Sequence, residues 1–311
     1  MRVIACLFAA LSAACCFAGQ DAKPIPGTDA VPIKPYRIGP YQIVLTSAKF
    51  ATRVFTQDDA WLADKGKKFV VVNFTVQNPS KEKLAFERSS LSYKVVGADT
   101  NNYEMEPSLV NPETMASITM DILPAQKIPC QVFFQVPSND PIYKLMVRYQ
   151  EGPVLRYDLR GKTLKSDSLF ADKTGVILAD SAQVKIGQKI EIGYFTLVVD
   201  GIEESTSPIG PISPDDGKKI VIAKLTITNP AFKEHTMERS TYKWQMLDEN
   251  GENLDFSENL IKVSSTDTVM QSIEPGRSLR VRVAFYAPKE SKPATFIIQE
   301  PDGRSISVSL K

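Results

Sequence analysis

Apolar and polar positions alternate along two stretches of the chain that closely resemble each other. The first runs from Gly66 to Pro79 and the second from Gly217 to Pro230. Both begin with Gly-Lys-Lys, continue through β-branched and large apolar residues, and end at Asn-Pro, which is typical of a strand bounded by turns. Each stretch therefore predicts one long β-strand.

The alternation also predicts which face of each strand is buried, because neighbouring side chains of a strand point to opposite faces. The apolar face consists of Val70, Val72, Phe74 and Val76 in the first strand, and of Val221, Ala223, Leu225 and Ile227 in the second. The other face is mixed, with Asn73, Thr75 and Gln77 in the first strand. One buried and one wet face is typical of an antiparallel sheet.

The likeness between the two halves extends beyond these strands. Residues 66–160 align with 217–311 without a gap, at a constant offset of 151 positions. The alignment pairs Glu87-Arg88-Ser89 with Glu238-Arg239-Ser240, Tyr93 with Trp244, Pro124 with Pro275, and Phe134 with Phe285. The chain is therefore interpreted as a duplicated domain. About seven short strands in each copy, without sustained helical periodicity, predict two tandem immunoglobulin-like antiparallel β-sandwiches.

Composition and the repeat together predict the domain organisation. The segment before the first copy is rich in proline, and the segment between the copies is mostly polar, although its apolar groups could dock on a domain. The predicted units are a signal peptide at 1–18, a Pro-rich tether at 19–35, the first sandwich at 36–160, a connector at 161–183, and the second sandwich at 184–311.

The N-terminal residues predict export. Met1 and Arg2 give a positive start, an apolar run follows from Val3 to Ala14, and small residues precede a cleavage point near Ala18. The run is shorter than the roughly 20 apolar residues of a membrane span, so no integral span is predicted. The expected location is secreted, periplasmic or at the cell surface. The alternative is a lipoprotein acylated at Cys15 or Cys16.

Charge and cysteine content narrow the function further. The chain has 37 basic and 36 acidic residues, so it lacks the positive field that nucleic acid binding needs. Three of the four cysteines lie in the predicted signal peptide. Cys130 is then the one mature cysteine, which excludes an internal disulfide. Its apolar strand context predicts a small buried side chain.

Several segments of the second copy resemble a known family. Residues 186–199 resemble its opening pair of strands, and Asn229-Pro230, residues 247–251 and residues 274–285 resemble its later landmarks. The family is the exported bacterial immunoglobulin-like module called domain of unknown function 4352, similar in fold to a mycobacterial immunoprotective secreted antigen. The first copy departs more, with Ala125 where Gly276 stands. The resemblance implies an exported β-sandwich and carries no catalytic residues.

Candidate catalytic and metal-binding residues are few. His235 is the only histidine and lies in a polar stretch, where an exposed loop position is expected. No Ser-His-Asp arrangement can be built from the sequence. Asp248 to Asn253 is interpreted as a hairpin turn, because its Gly251 stands at position four and a calcium loop needs it at six. We therefore expect no enzyme activity, no cofactor and no metal.

The candidate partner contact lies in a connection that differs between the copies. The connection 51–65 holds Trp61 beside Asp58 and Asp59, whereas 203–216 holds three prolines. Loops at the ends of sandwiches often carry binding, and an exposed Trp is a common anchor. The alternative is that Trp61 folds back onto its own domain. The repeated Glu-Arg-Ser motif also has two interpretations, a shared binding contact or a structural corner.

These observations predict a non-catalytic, exported binding or structural module of the bacterial cell envelope. Its partner would be an exported or envelope protein whose identity the sequence does not give, and the oligomeric state stays open. The alternative is an inhibitor or chaperone-like partner of another exported protein, which would act through a loop or an edge strand.

Overall fold

The computed structural model describes residues 27–161, 165–301 and 303–310, and the predicted signal peptide lies outside them. The described residues form an all-β structure with two short 3-10 turns, at Arg88–Ser90 and Arg239–Thr241. Each half has its own large apolar core. The predicted all-β, antiparallel architecture is thus confirmed. None of the described residues forms a helix long and apolar enough to cross a membrane.

The first sandwich packs two five-stranded sheets face to face. Its described strands are β1 (Gly27–Ala30), β2 (Tyr36–Ile38), β3 (Tyr41–Ala51), β4 (Arg53–Phe55), β5 (Ala60–Leu62), β6 (Lys67–Gln77), β7 (Leu84–Glu87), β8 (Ser92–Gly97), β9 (Asn102–Glu104), β10 (Leu109–Val110), β11 (Thr119–Ile122), β12 (Lys127–Pro137), β13 (Ile142–Arg148) and β14 (Val154–Asp158). The sheet orders are β1-β14-β13-β8-β9 and β10-β12-β6-β3-β2, with β4-β5 and β7-β11 as separate pairs.

The second sandwich repeats this plan with fewer strands. They are β15 (Ser181–Lys185), β16 (Lys189–Ile192), β17 (Phe195–Ser205), β18 (Lys218–Thr228), β19 (His235–Glu238), β20 (Lys243–Asp248), β21 (Asp255–Lys262), β22 (Met270–Ile273), β23 (Ser278–Pro288), β24 (Pro293–Gln299) and β25 (Ser305–Ser309). The sheet orders are β15-β25-β24-β20 and β16-β17-β18-β23-β21, with β19-β22 as a pair. Both halves exceed the expected seven strands, because several strands have only two to four residues.

The central strands β6 and β18 bury the predicted faces, and every residue assigned to those faces is buried. The opposite face differs from the prediction at one end of each strand. Phe69 and Val71 are also buried there, because the chain between β3 and β6 folds over them. Ile220 and Ile222 are covered in the same way in the second sandwich. The C-terminal end of the outer face of each strand is partly exposed to solvent.

Each sandwich begins with a short parallel strand that the sequence did not predict. β1 pairs with β14, and β15 pairs with β25 at equivalent positions. Gly27–Ala30 falls within the predicted tether, yet it forms a strand and Ala30 is buried. Gly-Thr-Asp-Ala lacks the apolar alternation that identifies a strand, so the pattern gave no signal. The repeat therefore starts at Gly27 and Ser181, at an offset of 154 before the variable connection.

The Asn-Pro ends of the central strands hold the adjoining loops. The buried Asn78 donates its amide Nδ2 to the carbonyls of Glu82 and Ile122, at 2.7 and 2.8 Å. Asn229 makes the same two bonds at the equivalent positions of the second sandwich. A buried amide with its hydrogen bonds satisfied stabilises the structure, and one left unpaired is costly. The repeated Asn is therefore structural.

Candidate functional site

The junction between the sandwiches is the most elaborate polar site of the described chain. Arg53, at the start of β4, extends from the first sandwich to the β16–β17 hairpin of the second. It donates from Nη1 to the carbonyls of Gly193 and Phe195, at 3.2 and 2.7 Å, and from Nη2 to the hydroxyl of Thr196 at 3.2 Å. Its side chain is only 9% exposed and also pairs with Glu191 at 3.3 Å.

Arg304 makes the reciprocal contact from the second sandwich. Its side chain is buried and donates to the carbonyl of Ala63 at 3.0 Å and to that of Lys67. Its Nε lies 4.0 Å from the carboxylate of Asp180, which also accepts from the backbone N–H of Gly66. A planar guanidinium with several fixed donors suits such multiple acceptors better than a Lys would. Each sandwich thus inserts one arginine into the backbone of the other.

Burial shifts the pKa values of the basic and the acidic groups of this junction in opposite directions. It lowers the pKa of Arg53, and the nearby Glu191 opposes that change. Burial lowers the pKa of Arg304 as well, opposed by Glu300 and Asp180. Burial alone would raise the pKa of Glu191, but the hydrogen bond from Lys189 and the charge of Arg53 outweigh it and lower that pKa. The junction therefore keeps its charges compensated.

The connector is docked on both sandwiches, as its apolar groups suggested. Leu178 packs in the first core and Phe170 in the second. Lys68, the second lysine of the repeated Gly-Lys-Lys, is fully buried. Its Nζ donates to the carbonyl of Val176 at 2.6 Å and lies 3.8 Å from the ring centre of Phe50. Burial lowers the pKa of Lys68 to about 8.

A cleft opens at this junction, with a volume of about 390 Å³. One wall is the end of β3 and the start of β4, from Lys49 to Arg53. The facing wall is formed by residues 166–169 of the connector and by Lys189 and Glu191 of β16. Binding sites often lie between domains and are typically about 300–1,000 Å³ in volume, so this cleft is large enough for a ligand.

The predicted contact residues lie beside this junction but do not form one surface. Trp61 is half-buried in a small apolar cluster and its ring centre lies 6.3 Å from that of Phe133, so it packs on its own domain. Asp58 is exposed. Asp59 closes a turn in which its backbone N–H donates to the hydroxyl of Thr56 at 2.9 Å. The proposed contact role of these three residues stays a prediction.

His235 is not the exposed loop residue that the sequence predicted. It begins β19, is half-buried, and stacks on Tyr194 with ring centres 4.7 Å apart. Burial lowers its pKa, the carboxylate of Asp59 from the other sandwich opposes that change, and Lys233 reinforces it. The reason is the Gly193–Tyr194 hairpin tip, which covers the imidazole.

The remaining sequence candidates have structural roles. Glu87 and Glu238 each cap the N-terminal end of a 3-10 turn. The N–H of the glutamate donates to the hydroxyl of the residue three positions on, at 3.0 Å, and its carboxylate accepts from the backbone N–H of that residue. Arg239 pairs with Glu258 at 2.8 Å. Cys130 is buried as predicted, and burial raises its pKa to about 12. The carboxylate of Asp248 accepts from the N–H of Asn250, which is turn geometry.

No group of three or more His, Cys, Asp or Glu side chains is placed to hold a metal ion among the described residues.

Sequence reasoning missed both junction arginines, although the repeat contains a signal for them. Ser207 stands at the position equivalent to Arg53, and Pro153 at the position equivalent to Arg304. Both are thus unrepeated basic residues within an otherwise repeated framework. A difference of this kind indicates a task that only one copy performs.

Each half of the chain consists of two facing sheets, and reciprocal arginines join the two halves. The described chain is therefore a tandem β-sandwich protein. The chain belongs to the family described as "Domain of unknown function (DUF4352)", whose sequence profile matches residues 34–154 and 184–305. The resemblance seen in the sequence is therefore confirmed in both copies.

The solved structures that are similar to this chain include two of low sequence identity. One is an uncharacterized β-sandwich protein from Clostridium difficile 630, with 16% identity and a TM-score of 0.36, covering 45% of this chain and 98% of that one. The other is a conserved hypothetical protein from Bacillus anthracis, with 14% identity and a TM-score of 0.29, covering 38% of this chain and 87% of that one. Comparison with curated proteins finds no match.

Proposed function

We propose that this chain is a non-catalytic, exported protein of the bacterial cell envelope that binds another exported or envelope protein. The predicted signal peptide and the resemblance to an exported module support the location. The fixed junction between the sandwiches supports the binding role.

The observation that carries the proposal is the reciprocal burial of Arg53 and Arg304. Taking a guanidinium out of water is costly unless its donors are satisfied. Here the terminal Nη groups donate mostly to backbone carbonyls of the opposite sandwich, whereas Nε of Arg304 has only the carboxylate of Asp180 at 4.0 Å. Two modules that were merely linked in series would need no such contacts. The arginines fix one orientation and thereby create a composite surface with a cleft, which is what a binding protein requires.

The alternative role, an inhibitor or chaperone-like partner, also has an observation in its favour. Part of the edge of β3 has no pairing strand among the described residues. Exposed strand edges bind extended segments of other proteins by adding a strand. Under either role the partner is an exported polypeptide.

Export and partner binding can be tested with the full chain expressed in a bacterium. Fractionation and mass spectrometry should find mature protein starting near Gly19 outside the cytoplasm. An acylated Cys15 or Cys16 would show the lipoprotein alternative, and an uncleaved cytoplasmic chain would contradict the proposal. A tagged full chain should then recover a partner from envelope extract.

The predicted contact residues give this recovery its control. If Trp61→Ala reduces the recovery of the partner while the melting temperature of the chain is unchanged, Trp61 has a contact role. Reduced melting temperature would assign Trp61 to the core instead. Asp58→Asn changes an exposed charge of the same loop without removing packing.

A further inference from the structure

We propose that the junction cleft binds an extended polypeptide segment, which pairs with the open edge of β3 and places an acidic side chain at Lys49. This rests on the proposed protein-binding function and assigns it a site and a ligand class.

The first observation is the open edge itself. β2 pairs with β3 only at residues 41–43, and the N–H of Ile33 donates to the carbonyl of Leu45 at 2.9 Å. Beyond Leu45, β3 continues to Ala51, paired with β6 on one side. No described strand pairs with its other side. In an antiparallel ladder, alternate residues direct both their N–H and their C=O away from the partner strand. Every second residue within 46–51 therefore presents an unpaired backbone donor and acceptor on the side opposite β6.

The second observation is that this edge lines the cleft. Five consecutive residues, 49–53, form one of its walls. Three of them, 49–51, are consecutive residues of β3. Because alternate side chains of a strand point to opposite faces, such residues can line one cavity only along the backbone edge. Phe50 belongs to this wall although its side chain is buried in the core. The cleft thus exposes main-chain groups.

The equivalent edge of the second sandwich carries acidic side chains instead of a lysine. β17 continues past its β16 pairing through Asp200, Glu203 and Glu204. Glu203 pairs with Lys224 at 2.6 Å and Glu204 with Lys219 at 2.7 Å. Glu203 is the structural equivalent of Lys49, because the two residues face equivalent positions of the central strands. Because Glu203 would repel the carboxylate that Lys49 attracts, only the edge of the first sandwich suits an acidic segment.

The charges of the cleft favour a polypeptide. Glu191 is shared by Arg53 and Lys189, at 3.3 and 2.8 Å, so one carboxylate partners both cations. Lys49 and Asp167 are exposed on the cleft walls, and neither forms an ion pair within the described chain. A free anion would gain little from Arg53, because its Nη1 and Nη2 already donate to Gly193, Phe195 and Thr196. A strand brings its own N–H and C=O groups to β3 and one carboxylate to Lys49.

The test uses the full mature chain and a six-residue peptide in which valine and threonine alternate around one central glutamate. We expect saturable changes in the NMR amide signals of residues 46–51. Lys49→Glu should weaken binding about five-fold, the effect of losing one exposed charge pair. Lys289→Glu makes the same charge change outside the cleft and should leave the affinity unchanged.

A second peptide keeps the test independent of how well the variant folds. The same sequence with an N-methyl group at every residue has no backbone N–H to donate to a strand edge, so it should not bind to the wild-type chain. Equal binding of the two peptides, or no signal change at residues 46–51 at millimolar peptide, overturns the proposal. Concentration-dependent self-association through residues 46–51, seen by sedimentation, would overturn it in favour of a second copy.

The pull-down separates this inference from the broader function. A recovered partner whose binding is unaffected by Lys49→Glu, together with no peptide binding, overturns the cleft assignment while the binding function stands. Failure to recover any partner, without peptide binding, overturns both.

Discussion

The two sandwiches differ most in the connection that leads into the central strand, from β3 to β6 in the first and from β17 to β18 in the second. In the first sandwich this connection forms the β4–β5 hairpin and sends Arg53 into its neighbour. In the second it has no hairpin of named strands, and Ile212 packs on its own sheet instead. Both versions cover the same end of the central strand. In both copies the connection therefore packs on its own sheet, and in the first copy it also binds the neighbouring sandwich through Arg53.

The largest expected effect lies where the two copies are the same. Phe74→Ala and Leu225→Ala each remove a large buried side chain from equivalent positions of the central strands. Each should lower the free energy of unfolding by about 2–5 kcal/mol, measured by urea titration. A loss below about 1 kcal/mol at both positions would contradict the buried faces assigned to β6 and β18.

The next effect concerns the contacts that join the two sandwiches. Arg304→Ala removes two charge-assisted hydrogen bonds and leaves the carbonyls of Ala63 and Lys67 without their donor. We expect a loss of about 2–3 kcal/mol and a calorimetric transition that separates into two. Arg280→Ala, at an exposed arginine of the same sandwich, should change stability by less than about 0.5 kcal/mol. A single transition at unchanged temperature in the Arg304 variant would show that the junction contributes little.

A smaller effect should appear as pH dependence. The folded-state pKa of Lys68 is about 8, below its ordinary value of 10.5. The unfolded chain therefore binds more protons between these values, and Lys68 makes stability rise as the pH increases through that window. From pH 7 to 9.5 the wild type should gain about 1–2 kcal/mol relative to Lys68→Met, measured by urea titration at each pH. A constant difference would mean that Lys68 is better solvated than its contacts indicate.

The smallest effect tests contact between the copies directly. The carboxylate of Asp59 opposes the lowering of the His235 pKa across the junction. Asp59→Asn should therefore lower the pKa of His235 further, which NMR can follow without ambiguity because the chain has one histidine. The neighbouring Asp58→Asn is the control and should have a weaker effect. An identical titration curve for all three proteins would place Asp59 away from the imidazole.

The core was predictable from the sequence because burial follows a simple period. Val70 to Val76 and Val221 to Ile227 alternate in a way that only a strand explains. The parallel strand Gly27–Ala30 was not predictable, since four residues carry too little alternation. Burial of Phe69 and Val71 on the second face also needs the fold of a distant connection, which a local pattern does not contain.

The site was less predictable than the fold. Trp61 is a large aromatic residue in a variable loop, which is typical of a contact residue, but its ring packs against Phe133 of its own domain. Arg53 and Arg304 are ordinary charged residues in the sequence, and their partners are mainly backbone carbonyls, which every residue has. Contacts of that kind leave no pattern of complementary side chains. Only their absence from the opposite copy marks them.

The bond from Arg304 to Ala63 also has a consequence for the order of events during synthesis. Its two ends are separated by 241 positions along the chain. At a synthesis rate of about 5–20 residues per second, Ala63 precedes its partner by roughly 10–50 seconds. The first sandwich can collapse long before then, but the base of its β4–β5 hairpin must wait. During that interval the carbonyl of Ala63 has no guanidinium donor, and the two sandwiches can be fixed to each other through Arg304 only when synthesis is nearly complete.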